Sequence, residues 1–444
     1  MSAVLEEVDR FEPMVKPEQV SGPPRIAGRD SALPAWLVEE REVPERPRFD
    51  SAVIIGNGLA ALSCAARLAR SNSFSGKVVM MGKPPVPSRR LIAGLTLRAR
   101  SLDYFSACLG ISRASFIAEL YQGHDREVAA LEQRIARYQG TGSGPYTFGK
   151  RGMWMSRWNH KGRVVCYGVR NSHLVDTIYR LMDHLDISWV DAKPASISDC
   201  RDVAKGHNPI IINATPMPLA GTGVVATKPK NFVVASQMLF SNERQREKGI
   251  LPPNTSFFTA RRRAGRADAS VWYPVWDPLS PTASFYGITY RVVKAGEGLY
   301  KDAEIDIQTS HLYGLSEALG LSPVDPQETL GTAMVPCSNW NDVHQYTPGY
   351  LHLGKLANLG TPIIAGDGMV RAGNAAFVAA EALIAGEEVQ PMVSRAVRGW
   401  AQRNRLTHHA ITSLSLFADL GLRVMPGTAL NLIQDFGDTW AGLE

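Results

Sequence analysis

The chain has 444 residues, 45% of them hydrophobic and 20% charged, which suits one elaborate fold or two interleaved domains with sizeable cores and argues against a disordered chain. The opening MSAVLEEVDRFE has neither a basic start nor an apolar run, and no later stretch gives about twenty uninterrupted apolar residues, so neither a signal peptide nor a membrane span is expected and the expected location is cytoplasmic. A net charge of +6 is mild at this size, and the five cysteines are scattered without a CxxC pair, so nucleic-acid binding, a disulfide framework and a metal site are not expected.

In chain order, residues 1–50 hold Pro13, Pro17, Pro23, Pro24, Pro34, Pro44 and Pro47 among many charges, a composition that resists helix and sheet and predicts an extended or disordered arm. The pattern changes at SAVIIGNGLAALSCAARLAR, residues 51–70. An apolar strand meets Gly56, Gly58 and Ala61, and an alanine-rich helix opens at Leu59 and Ala60. Gly56 lets the chain leave the strand sharply, Gly58 removes a side chain where a pyrophosphate would approach, and Ala61 lets the helix sit close. This is the GxGxxA form of the dinucleotide fingerprint, and the helix N-terminus behind it suits a doubly charged anion. The structural alternative is a plain tight turn.

KVVMM at 77–81 is a second strand, followed by the stiff, basic KPPVPSRR. Lys83, Arg89 and Arg90 after that strand would suit a 2′-phosphate, which keeps an NADP-binding Rossmann domain open as a competing reading. Residues 101–110 and 112–138 have helical spacing of apolar residues, and GTGSG at 140–144 marks a loop. From 145 to 169 the text turns aromatic and strand-like and includes Trp154 and Trp158; NSHLVDTIYRLMDHL at 171–185 predicts an amphipathic helix capped by Asn171 or Ser172.

ISWV and NPIIINAT supply two more strands. Between about 215 and 345, NFVVASQMLF, TSFFTARRR, ASVWYPVWDP and ASFYGITYRVV alternate or are aromatic-rich, with Pro or Gly turns between them. They predict an antiparallel sheet inserted into a Rossmann frame. The basic run of Arg261, Arg262, Arg263 and Arg266 is expected at a hairpin tip between strands, without a nucleic-acid role. Trp154, Trp272, Tyr273 and Trp276 could line an apolar substrate pocket or simply pack between layers. Last comes TPIIAGDGMVRAGNAAFVAAEALIAG at 361–386, a strand ending in Gly366 and Asp367 and a helix that begins amid Gly373, Ala375 and Ala376. A carboxylate at such a strand end can accept hydrogen bonds from sugar-alcohol hydroxyls.

Taken in segment order over most of 51–415, the chain resembles the FAD-binding flavoprotein superfamily of the para-hydroxybenzoate hydroxylase type. The resemblance implies an α/β fold: a Rossmann-like FAD-binding domain with an inserted antiparallel β-sheet substrate domain and C-terminal helices. The corresponding division is an arm at 1–50, the FAD-binding domain at 51–215 and 346–400, the substrate-binding sheet at 216–345, and C-terminal helices at 401–444. It implies that the loop of Gly56, Gly58 and Ala61 holds the FAD pyrophosphate, with Leu59 and Ala60 at the helix start; Lys83 is a further expected cofactor contact. Gly366 and Asp367 touch the pyrophosphate and ribityl chain, and Gly373 lies at the helix start. An arginine in 90–111, Arg90 or Arg98, reaches FAD, and Arg170 occupies the matching place ahead of the helix at 171. WYPVW at 272–276 is similar to the aromatic-proline strand on the substrate side of the flavin.

Two departures stand out. The family ends its second strand with an acid for the adenosine ribose, where this chain has Gly82 and Lys83; and NPIIINATP lacks the Asp-Gly motif of single-component aromatic hydroxylases. The second departure implies that electrons reach the flavin from NAD(P)H through a separate flavin reductase, or that FAD has no redox turnover. WMSRW is similar to the WxWxIP motif of flavin halogenases, but its second tryptophan is displaced and no Ile-Pro follows, so halogenation is not expected. The expected activity is that of an FAD-dependent oxidoreductase, a monooxygenase acting on a hydrophobic biosynthetic small molecule. The alternatives are a cyclase or isomerase with non-redox FAD, and a cofactor-free partner subunit. No general base is singled out among His160, His173, His408 and His409.

Overall fold

The computed structural model describes residues 49–85, 94–120, 132–136, 153–158, 164–216, 218–222, 231–241, 255–263, 266–275, 284–294, 301–319, 321–337, 346–353, 367–387 and 389. The expected arm at 1–50, apart from its last two residues, and the expected C-terminal helices at 401–444 lie outside them, as do Arg90, Trp276 and Gly366.

The chain runs β1 (Ser51–Ile55), α1 (Leu59–Ala69), β2 (Val78–Met81), β3 (Gly94–Arg98), α2 (Ala99–Leu109), α3 (Arg113–Leu120), β4 (Glu132–Ala136), β5 (Met153–Trp158), β6 (Val164–Arg170), α4 (Asn171–Leu181), β7 (Ile187–Val190), α5 (Ile197–Asp202) and β8 (Pro209–Asn213). It continues through β9 (Asn231–Ser241), β10 (Thr255–Arg263), β11 (Arg266–Val275), β12 (Ser284–Lys294), α6 (Lys301–Leu319), β13 (Ser322–Pro323), α7 (Pro326–Thr329), β14 (Gly331–Cys337), β15 (Tyr346–Thr347), β16 (Tyr350–His352) and α8 (Asp367–Ile384).

One sheet has the order β15-β16-β8-β1-β2-β7. All its neighbours are parallel except β15, which pairs antiparallel with β16. SAVII, VVMM and PIIIN are apolar without alternation because both faces of these strands are covered. Ala52, Ile54, Met80, Ile210 and Ile212 pack with residues of α1, α2, α4 and α8, whereas Val53, Ile55, Val79, Met81 and Ile211 face Cys200 of α5. The alternation along each strand sends successive side chains into two cores.

Among the described residues the second sheet has ten strands, in the order β13-β9-β12-β11-β10-β5-β4-β6-β3, with β14 pairing with β9 beside β13, on the edge opposite β12. The four long segments expected between 215 and 345 are its strands β9 to β12, and the basic run closes the β10–β11 hairpin, where Arg263 pairs with Arg266. The sheet also takes in β3 to β6 from residues 94–170. One of these strands departs from expectation. Within the segment read as helical from 112 to 138, α3 ends at Leu120 and Glu132–Ala136 is a strand. It lies between β5 and β6 and pairs with both, and hydrogen bonding on two edges outweighs a weak helical periodicity.

The helix expected at 171–185 forms as α4 and ends at Leu181; Asn171 is its first helical residue, and Asn171 Oδ1 accepts no capping hydrogen bond. On the second sheet, α6 covers β9 and β12 through a mixed seam. Ser236 Oγ and Thr309 Oγ1 are 2.8 Å apart, Thr289 donates to the Gln308 carbonyl at 2.7 Å, and the Arg291–Glu304 ion pair is almost fully buried at 3.2 Å. Beside this seam the apolar part of the layer holds Met238, Phe240, Trp272, Phe285, Leu312 and Leu321.

Candidate cofactor site

The carboxyl ends of β1, β2, β7, β8 and β16 open on one edge of the parallel sheet, where α/β folds of this kind place their ligands. At the end of β1, Gly56 has φ +115 and donates to the Met81 carbonyl at 3.0 Å. A Cβ there would sit 3.6 Å or more from Ala214 and Thr215, so the constraint at this position is the backbone dihedral rather than space. Gly58 differs. Its φ of −84 and ψ of 175 are open to any residue, and a Cβ on it would meet no described residue within 4 Å.

Gly58 is the N-cap of α1 and makes no side-chain cap hydrogen bond, and the first turn carries no acid. The first helical hydrogen bond runs from the Leu62 amide to the Gly58 carbonyl at 3.0 Å, so the amides of Leu59, Ala60 and Ala61 stand at the open end of the helix. Ala61 is fully buried and lets α1 lie close on the sheet. An uncapped helix start with its dipole positive and space in front of it is a cradle for an anion. A pyrophosphate fits the donors present.

At the end of β2, Gly82 has φ +129 and donates to the Val190 carbonyl at 3.0 Å. The family's acid is missing here for a backbone reason, since an L-residue in that conformation is strained. Lys83 is exposed, and its carbonyl accepts from Asn57 Nδ2 at 2.9 Å, pinning the glycine loop to the second strand. Asn57 was not singled out in the sequence, and the GxGxxA pattern leaves its position open.

The ends of β8 and β16 hold a buried polar cluster that spacing could not reveal. Asn213 donates from Nδ2 to the Tyr350 hydroxyl at 2.9 Å, and its Oδ1 accepts from the Thr215 amide and hydroxyl at 2.9 and 2.7 Å. The Tyr350 hydroxyl also accepts from the Leu219 amide at 3.1 Å and lies 3.3 Å from His352 Nδ1. Asn213 therefore sets the turn through Ala214 and Thr215 that backs Gly56. His352 has no solvent exposure, and its Nε2 lacks a hydrogen-bond partner among the described residues.

Burial pushes the His352 imidazole from 6.5 down to about 4, although the Pro216 carbonyl acts in the opposite direction. The unfolded chain takes a proton near pH 6.5 while the folded chain refuses it until about pH 4, so folding stability falls as pH drops through that window. His352→Asn is expected to make the acid slope of unfolding free energy shallower by up to about 1.4 kcal/mol per pH unit. Urea titrations at a series of pH values between those limits measure it, and coincident slopes would mean that His352 titrates normally.

Of the other expected cofactor residues, Asp367 is the first residue of α8. This helix packs along α1, and Arg67 Nε donates to Glu381 Oε1 at 2.5 Å near the C-terminal ends of both helices. Gly373 lies inside α8, and a Cβ on it would approach Tyr104 Cβ to 2.9 Å, so its place is the close crossing of α8 over α2. Arg98 pairs in register with Cys166 and Arg170 with Gly94, which puts the two arginines at opposite ends of the β3–β6 ladder.

On the second sheet, Trp272 is fully buried beneath α6, with its ring centroid 5.1 Å from Phe240 and its indole N–H donating to Ser270 Oγ at 2.9 Å. It is a core residue of the sheet–helix layer, although its aromatic stretch was expected on the substrate side. Tyr273 pairs with Tyr286 and Trp154 with Phe258, at the register positions opposite in parity to Trp272. At that parity the Tyr286 hydroxyl donates to Gln237 Oε1, and the buried Tyr290 hydroxyl has no partner among the described residues. Burial raises the Tyr290 phenol well above its ordinary value. Among the described residues no group of His, Cys, Asp and Glu could hold a metal ion, and no helix is long and apolar enough to cross a membrane.

No protein-family model and no curated protein matches this sequence. Solved structures do match its fold. HpxO of Klebsiella pneumoniae, complexed with FAD and uric acid, superposes with a TM-score of 0.54 at 13% identity over 88% of this chain and 97% of its own. A triple mutant of the flavin-dependent brominase Bmp2 gives 0.52 at 15% identity over 89% and 94%, and FqzB gives 0.51 at 13% over 90% and 95%. The chain shares the fold of these three proteins, which agrees with the fold that the sequence resemblance implied.

Proposed function

We propose that this chain is an FAD-dependent oxidoreductase, a monooxygenase that acts on a hydrophobic small molecule. The observation that carries the reading is the uncapped start of α1, with no described residue within 4 Å of a Cβ on Gly58, built on a fold shared with proteins that use flavin. Bound FAD supplies the redox chemistry, and the protein binds, orients and shields it. The amides of Leu59, Ala60 and Ala61 hold the pyrophosphate. Arg67 and Glu381 join α1 and α8 near their C-terminal ends, which favours their N-termini, at Gly58 and Asp367, facing the same ligand; Asp367 then accepts from the ribityl hydroxyls.

The substrate lies against the second sheet on the side away from α6. Tyr286, Gln237 and Tyr290 supply polar groups on that side, and Trp154 and Tyr273 share its register parity. In place of the Asp-Gly motif, β8 leads into Asn213, Ala214 and Thr215, with the asparagine already engaged by Tyr350 and Thr215. This favours electrons delivered from NAD(P)H by a separate flavin reductase over direct use of NAD(P)H.

The deciding experiment is the visible spectrum of purified protein incubated with FAD and desalted. Retained flavin bands are expected, and Asp367→Ala should weaken retention about tenfold by removing a charged acceptor. A colourless protein that instead binds NADPH would overturn the reading. Product carrying an oxygen atom from labelled O2, formed by the flavin-loaded protein with an added reductase, then separates a monooxygenase from a cyclase or isomerase that turns over anaerobically.

A further inference from the structure

We propose that Asp191, at the end of β7, accepts the adenosine ribose hydroxyls that the end of β2 cannot, and so sets the choice of a free ribose diol over a 2′-phosphate. The inference rests on the FAD reading above and concerns the far end of that cofactor.

An acid normally takes up the ribose at the end of the second Rossmann strand. Here that position is Gly82, whose φ of +129 excludes a carboxylate-bearing L-residue without strain. The neighbouring strand runs parallel to β2 in a register that pairs Met81 with Val190, and the Gly82 amide donates to the Val190 carbonyl at 3.0 Å. The next residue on each strand is Gly82 on one side and Asp191 on the other. The carboxylate has therefore moved across one strand spacing, about 4.8 Å.

Asp191 is exposed and lies two residues after the partly buried Trp189, which packs against the core on the α1 side of the sheet. Among the described residues it is the only acid in the segments that leave the carboxyl ends of β1, β2, β7, β8 and β16. Asn57, the other polar side chain at the loop, donates from Nδ2 to the Lys83 carbonyl and carries no charge. A carboxylate accepts two hydrogen bonds from a vicinal diol and repels a phosphate at the same place. Lys83 and Lys193 are also exposed here and would by themselves favour a 2′-phosphate, so the sign of the preference depends on Asp191.

The test is equilibrium binding, read by flavin fluorescence and by NADPH fluorescence, of FAD, FMN and NADPH to the full chain and to Asp191→Ala, with thermal unfolding as the folding control. FAD is expected to bind about tenfold or more weakly to the variant, as for loss of a charged acceptor. FMN, which lacks the adenosine, is expected to bind equally well to both, and NADPH more tightly to the variant. Equal FAD affinity for both proteins, or equal losses of FAD and FMN, would overturn the role of Asp191 while leaving the flavin reading in place. Failure of the unaltered chain to bind FAD would overturn both.

Discussion

Gly58→Leu is expected to leave the protein folded and to weaken FAD binding about 100-fold or more, a loss of about 2.7 kcal/mol. The backbone at Gly58 is in an ordinary extended conformation, and a Cβ there comes within 4 Å of no described residue. The side chain would thus occupy the space in front of the α1 N-terminus and displace whatever anion the helix holds. Glycine is a better N-cap than leucine by about 0.5–1.5 kcal/mol, so the unfolding midpoint should fall modestly, by less than the loss in binding free energy. Gly56→Ala separates the two glycines: φ there is +115, and the substitution should cost about 1–2 kcal/mol of stability. FAD titration and urea unfolding on the same preparations measure both. Unchanged FAD affinity in Gly58→Leu would mean that the open helix start is not the pyrophosphate seat.

The largest effect on stability is expected at Trp272. Trp272→Ala should lower the unfolding free energy by about 3–5 kcal/mol, because the ring is fully buried, packs on Phe240 and leaves a cavity beneath α6. The fit is reciprocal. Trp272 pairs across the sheet with Gly287, where a Cβ would come within 2.3 Å of the indole ring. Gly287→Ala should itself destabilise by about 1–3 kcal/mol through overpacking. Combined with Trp272→Ala it should cost much less than the sum, since the methyl group then enters vacated space. Urea unfolding of the two single variants and the double variant measures the coupling, and additive losses would contradict the packing described.

Some of these features were legible as letters. The SAVII strand, the GxGxxA turn and the alanine-rich helix follow from local rules, because a strand buried on both faces must be apolar throughout and a phosphate turn must be short and small. Residues 231–294 likewise announce their strands through aromatic and β-branched alternation and turn residues. The strand at 132–136 was not legible, because its pairing with β5 and β6 depends on segments about 20 and 30 residues further on.

Within the site, the sequence by itself determined the glycine loop and its helix, since the needed conformations reside in those few residues. Only the tertiary structure decided that Gly82 must be glycine, that Trp272 belongs to a core beneath α6, and that Gly373 serves a helix crossing. The cluster of Asn213, Tyr350 and His352 and the placement of Asp191 beside Gly82 arise the same way. Each depends on which strand or helix becomes a neighbour, and neighbours far apart in sequence are set by packing and hydrogen-bond pairing across the whole chain, which no local pattern encodes.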